Sequence, residues 1–288
     1  MTLLFTVSFV RAQRTASVTG NWSSTATWGG QSVPTSADAV IINSGIAVTV
    51  DCNATCASIT INAPTTNNGI SISGTNTLTV SGAITMNSPS TGTITSTIAV
   101  GTGTLSAASI TIPGSSTSGR FCTVSVSTGT ITITGNITFS GTAAQARLTF
   151  SDAGTLNLEG TLSSGGTFTA STGTVNCNGG TQTVAPYIYN NLTLSNSGVK
   201  TFATTPTVNG VLSLEETATI KVTSGSVTYG VNATLQYNTS SNRTASSEEW
   251  ISTFTATGGV VISNTGEITL NANKTFNSSV PLTINSGE

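Results

Sequence analysis

Thr130-Ile131-Thr132-Ile133-Thr134-Gly135-Asn136-Ile137-Thr138-Phe139 decides how this chain folds. Ile131 and Ile133, then Ile137 and Phe139, fall on one side of a pleated strand, and the threonines fall on the other. Gly135-Asn136 supplies the turn chemistry between the two runs. Working outward in both directions, the same alternation returns about every twenty residues. Ser58 to Ile61, Thr77 to Val80, Ala83 to Met86, Ile110 to Ile112 and Thr123 to Val126 precede it. Thr155 to Leu158, Thr174 to Cys177, Asn191 to Leu194, Val211 to Leu214, Ala218 to Val222 and Thr234 to Tyr237 follow, and Val260 to Ile262, Ile268 to Leu270 and Leu282 to Ile284 close the series. No stretch carries an apolar stripe of helical period, so the sequence is read as all-β.

A sandwich is a finite set of about seven to nine strands joined by unlike loops. This chain instead reissues short strand, Gly or Asn turn, short strand. Strands so short cannot bury an apolar face one at a time and must stack on themselves. The pattern therefore predicts a right-handed parallel β-helix, a β-solenoid with an N-terminal cap and on the order of a dozen coils. Residues 13–288 read as one elongated domain, because no linker or change of composition divides them.

Charged residues make up 6 % of the 288, with eight Lys and Arg against ten Asp and Glu and no histidine. Ordinary domains carry roughly 25 %. Such a chain has no basic field for nucleic acid and no polybasic patch for anionic lipid. The regular Val, Ile and Leu argue for a packed core despite the abundance of Ser, Thr and Gly.

Residues 1–12 read as a secretion signal: Leu3 to Val10 is a short apolar run and Val10-Arg11-Ala12 resembles a cleavage site. No segment approaches the roughly 20 apolar residues of a membrane span. An extracellular or cell-surface location is expected. Cys52 and Cys56, with the three residues Asn53-Ala54-Thr55 between them, are expected to form a local disulfide. They could also begin a zinc site, but no histidine or second close pair completes one. Cys122 and Cys177 occupy positions where alternation expects an apolar residue and read as buried thiols.

Near the N-terminus stand Gly20-Asn21-Trp22-Ser23-Ser24, Thr27-Trp28-Gly29-Gly30, Val33-Pro34, Asp38-Ala39-Val40-Ile41-Ile42 and Val48-Thr49-Val50-Asp51. This segment resembles the extracellular eight-glycine domain, and still more the N-terminal segment of large secreted surface proteins of Bacteroidetes-type bacteria. The resemblance covers about residues 20–63. It implies a capping segment in which Trp22, Trp28, Pro34 and Asp38 lead into a β-helix. Folded over an open first coil, the two indoles would cover apolar area; the alternative is a platform on which a sugar stacks. Two further stretches, Gly166 to Leu194 and Thr234 to Asn264, are similar to the fibrous regions of adhesins of the same kind.

Trp250, Arg243 and Glu249 form the one gathering of charge and aromatic away from the N-terminus. They are candidates for a ligand-binding loop; the competing reading is a longer turn whose indole packs back on the coil. Catalysis finds little support. Glycoside hydrolysis needs carboxylates about 5 to 10 Å apart, whereas the side chains of Glu215-Glu216 and Glu248-Glu249 diverge on a strand. No phosphate loop, nucleophile elbow, metal motif or cofactor motif is present. The expected function is that of an adhesin-like structural β-helix, a stalk or a weak carbohydrate-binding surface for extracellular polysaccharide or cell-surface glycan. Ice or crystalline polysaccharide is the alternative partner. It is disfavoured by outward triplets that vary in sequence (Thr-Ile-Thr, Thr-Leu-Asn, Ser-Ile-Ser). A polysaccharide-active enzyme comes third.

Overall fold

The computed structural model describes residues 12–263 and 265–285. Every strand pair is parallel, and the chain winds into a β-solenoid of about 11 turns. One sheet runs the whole length, from Gln13–Ala16 through Ala39–Ile42, Ser58–Ile61, Thr77–Met86, Thr104–Gly114, Thr130–Ile133, Thr155–Leu158, Thr174–Cys177, Asn191–Leu194, Val211–Glu215, Thr234–Asn238 and Gly259–Ile262 to Leu282–Ile284. Two expected strands, Thr77 to Val80 and Ala83 to Met86, are one bent strand. Its successor Thr104–Gly114 bends in the same place, where the register shifts between Ala107 and Ser109.

The first half of the solenoid closes with a second, seven-stranded sheet: Gly20–Asn21, Ala47–Val50, Asn68–Ile72, Thr95–Val100, Phe121–Val126, Ala146–Phe150 and Thr167–Thr169. Beyond Thr169 short strands replace it, such as Gln182–Thr183 with Val199–Phe202 and Ile188–Tyr189 with Thr207–Val208. The coils shorten at that point. Thr104 to Thr130 and Thr130 to Thr155 are steps of 26 and 25 residues, whereas Thr155 to Thr174 and Thr174 to Asn191 are 19 and 17. Aromatic rings fill the changing cross-section: Phe168 lies 5.9 Å from Phe150, 5.3 Å from Tyr187 and 5.3 Å from Tyr189 between ring centres.

The core is a set of aliphatic columns. Leu78, Leu105, Ile131, Leu156, Val175, Leu192, Leu212, Leu235 and Val260 are register partners in successive coils, and all are buried. Val80, Ala107, Ile133, Leu158, Cys177, Leu194, Leu214 and Tyr237 make a second column beside it. Each full burial of such an aliphatic chain contributes about 2 kcal/mol, so hydrophobic stacking holds the coils together with few charges. The stack is also tight enough to require glycine in places. At Gly69, with φ 148°, an added Cβ would lie 1.9 Å from the Thr97 carbonyl oxygen of the next coil.

Candidate functional site

At the N-terminal end, Thr25–Trp28 forms a 3₁₀ turn that closes at Gly29 in the left-handed conformation. Trp22 and Trp28 meet edge to face with ring centres 5.0 Å apart, and both are buried in the core. The Trp28 indole N–H donates to the Trp22 carbonyl at 2.8 Å. Pro34 is buried as well. The Asp38 carboxylate accepts from the Thr35 N–H and hydroxyl, both at 2.8 Å, and stands 3.8 Å from the Arg14 Nε. Burial pushes its pKa up, but the Thr35 bonds and the Arg14 charge more than reverse this, so it lies below the usual value. Asp51 is lowered chiefly by the Ser23 hydroxyl, which donates to it at 2.6 Å. Both indoles are thus interior groups of the first coil, with no face open for a sugar to stack on. The expected secretion signal falls on residues 1–12, of which only Ala12 is among the described residues.

The Arg243, Glu249 and Trp250 candidates do converge, and they converge inward. Trp250 is 2 % exposed and packs between Tyr237, at 5.8 Å, and Phe276, at 6.1 Å between ring centres. Glu249 is 1 % exposed. Its carboxylate accepts from the Ser246 N–H at 2.7 Å, from the Ser246 hydroxyl and from the Tyr237 hydroxyl at 3.3 Å. Burial, with the Glu249 charge, raises the Tyr237 phenol far above its ordinary pKa. Arg243 lies over the Tyr237 ring at 5.4 Å and donates from Nη2 to the Ala218 carbonyl at 2.8 Å. Lys274 donates to the Trp250 carbonyl. The residue before Glu249, Glu248, faces outward to Lys221 at 2.5 Å. This is a packed turn, the second of the two readings, in which Glu249 is fully engaged while the Trp250 indole N–H and the Arg243 Nε and Nη1 are buried with no partner among the described residues.

The expected Cys52–Cys56 disulfide is absent: both residues are free thiols, Cys56 buried in the strand Ala54–Cys56 and Cys52 half-buried ahead of it. The alternation that points Cys56 inward leaves Cys52 at the preceding corner. Cys122 and Cys177 are buried free thiols, as their strand positions imply. Burial pushes Cys56, Cys122 and Cys177 each up to about 12, so none is a nucleophile at neutral pH. Among the described residues no three acidic, Cys or His groups gather as a metal site, and no helix is long and apolar enough to cross a membrane.

Two features escaped the sequence reading. Lys200 is fully buried, and its ammonium donates to the carbonyls of Gly179, Gly180 and Ser197, the last two at 2.6 and 3.0 Å. Burial lowers its pKa. The signal was present: in Val199-Lys200-Thr201-Phe202 the lysine shares the side of Phe202. The second feature is register. Thr77, Thr104, Thr130, Thr155 and Thr174 are direct ladder partners, forming one outward column of five threonines. Thr79, Ser106, Thr132, Asn157, Asn176 and Thr193 form the column beside it, which continues into the buried Ser213. Past the bend, Thr60, Thr85, Thr111 and Thr138 form a third. The variation of the outward triplets was the ground for disfavouring an ordered hydroxyl array. The triplets do vary in register (Thr77 and Thr79, Thr104 and Ser106, Thr130 and Thr132, Thr155 and Asn157), yet from Thr77 to Ser213 every position of the two columns but Val211 keeps a small hydroxyl or amide in line.

Comparison of the chain with protein-family models, with curated proteins and with solved structures gives no match in any of the three.

Proposed function

We propose that this protein is a rigid stalk of an adhesin-like surface structure, secreted and displayed outside the cell. The observation that carries the reading is the unbroken ladder from Gln13–Ala16 to Leu282–Ile284 around a continuous aliphatic core. A parallel stack in which each coil is bonded to both neighbours resists bending, and it extends reach by about 4.8 Å per coil. The outer wall is polar but nearly free of charge, which favours weak neutral contacts over ionic ones. Trp22 and Trp28 at the first coil suit the capping role that the resemblance of residues 20–63 implies, since they cover apolar area at one end of the stack.

Antibodies raised against the folded chain test this on source cells. They are expected to label intact cells, and protease treatment of those cells is expected to remove the label. Label that appears only after permeabilisation would place the protein inside and overturn the reading.

A further inference from the structure

We propose that the outward face of the long sheet around Thr77–Asn157 binds ice. The inference goes beyond the stalk reading and does not rest on it. Its ground is the alignment of Thr77, Thr104, Thr130 and Thr155 beside Thr79, Ser106, Thr132 and Asn157 on four successive coils. In a parallel sheet these side chains repeat about every 4.8 Å across the strands and roughly every 6.6 Å along them. The result is a two-dimensional lattice rather than a stripe.

The chemistry of the lattice fits one kind of partner. Among the described residues, the hydroxyls of Thr77, Thr79, Thr104, Ser106, Thr130, Thr132 and Thr155 have no hydrogen-bond partner. Each offers one donor and two lone pairs outward, the same valence as water. Farther along the solenoid the outward polar groups turn to one another: Asn176 donates to Asn157 at 3.3 Å, Ser195 to Asn176 at 2.8 Å and Asn191 to Thr174 at 3.4 Å. The open lattice therefore has an edge, and it lies near Asn157.

Rigidity favours an ordered partner. Leu78, Leu105, Ile131 and Leu156, which alternate with the hydroxyl positions, are fully buried, and every strand of the patch is laddered on both sides. β-Branched threonines are stiff at χ1, so their hydroxyls and methyls are ordered before binding and little entropy is lost on contact. No charged residue stands in either column, so no ionic group imposes its own hydration shell on the layer above. That neutrality is complementary to a neutral crystal.

Between the neutral solids, the aromatics decide. Sugars present apolar faces that stack on exposed rings, but Trp22, Trp28 and Trp250 are all buried and the columns contain no aromatic. A methyl-and-hydroxyl lattice without a stacking ring suits crystalline water better than a polysaccharide.

The full chain is to be measured for thermal hysteresis and for incorporation into slowly growing ice. A Thr104→Lys/Thr130→Lys variant goes alongside, with Thr123→Lys/Thr149→Lys on the seven-stranded sheet as the control. The unaltered chain is expected to separate freezing from melting temperature and to enter ice; the first pair loses both effects and the control keeps them. Should the lysine pair misfold by circular dichroism, Thr104→Val/Thr130→Val removes the hydroxyls while keeping the β-branched shape, with the same expected loss. A folded chain that shows neither effect overturns the proposal, as does equal loss in the control. Binding to crystalline cellulose, lost in the same variants and without any ice effect, overturns it in favour of a polysaccharide surface.

Discussion

Lys200→Met is expected to destabilise the solenoid by about 1–2 kcal/mol. The methionine fills similar volume but donates nothing, so the carbonyls of Gly179, Gly180 and Ser197 lose the buried ammonium they share. Only Gly179 of the three is buried, Gly180 and Ser197 being exposed, and one orphaned buried acceptor costs about 1–3 kcal/mol. The lowered pKa of Lys200 shows that burying its charge is itself unfavourable, and removing that penalty offsets part of the cost. Replacing a whole buried ion pair by apolar groups can be neutral, whereas removing a single partner is not; here the acceptors are backbone and stay. The test is urea unfolding followed by circular dichroism. A midpoint equal to that of the unaltered chain would show that these turn carbonyls need no internal cation.

The second large effect is alkaline unfolding. The Cys56, Cys122 and Cys177 thiols lie at about 12 in the folded chain against 9.0 when free, because burial disfavours the thiolate. Between those values the unfolded chain releases protons that the folded chain keeps. The stability they confer is therefore complete below pH 9 and falls as pH rises toward 12. A shift of about three units corresponds to about 4 kcal/mol per thiol at the top of the window. Tyr189, Tyr229 and Tyr237, all raised by burial, act in the same direction above their ordinary value of 10.0. Lys200 opposes them: its folded pKa is depressed, so its contribution improves as pH climbs toward 10.5. Lys274 is depressed likewise, whereas Cys52 and Tyr187 are raised with the others, so the two lysines stand against eight thiols and phenols. Far-UV circular dichroism should be lost cooperatively between pH 9 and 12, together with the rise of tyrosinate absorbance. Cys56→Ala/Cys122→Val/Cys177→Val should move the transition upward. Tyrosinate appearing near pH 10 with the strands intact would contradict the account.

How much of this was legible in the sequence depends on which periodicity carried it. Residue-to-residue alternation in Thr130-Ile131-Thr132-Ile133 fixed strand and facing directly, and Ile131 and Ile133 are fully buried. Repetition of that unit fixed a parallel stack, because no single short strand could bury its own face. Register was not legible. Coils of 26, 25, 19 and 17 residues have no constant period, so only backbone pairing shows that Thr104, Thr130 and Thr155 are neighbours. Several strands of the second sheet, such as Asn68–Ile72 and Thr95–Val100, were missed. The Asn68-Gly69 start of the first resembles a turn, and both strands are completed by partners that the coils above and below supply. Trp250 illustrates the same limit. Sequence placed Arg243, Glu249 and Trp250 together, but burial against Tyr237 and Phe276 is decided by residues on neighbouring coils.

The central claim is the in-register threonine column, and a disulfide ruler measures it directly. In a Cys52→Ser background, Thr104→Cys/Thr130→Cys places two thiols on direct ladder partners. Their Cα atoms are about 4.8 Å apart, inside the range of about 4.4–6.8 Å that a disulfide spans. Thr104→Cys/Thr132→Cys offsets the second thiol by two residues, to about 8 Å. Under mild oxidation the first pair is expected to lose both free thiols rapidly while the second keeps them. Equal oxidation of both pairs, or oxidation of the offset pair alone, would show that the coils stack in a different register and would remove the hydroxyl lattice along with it.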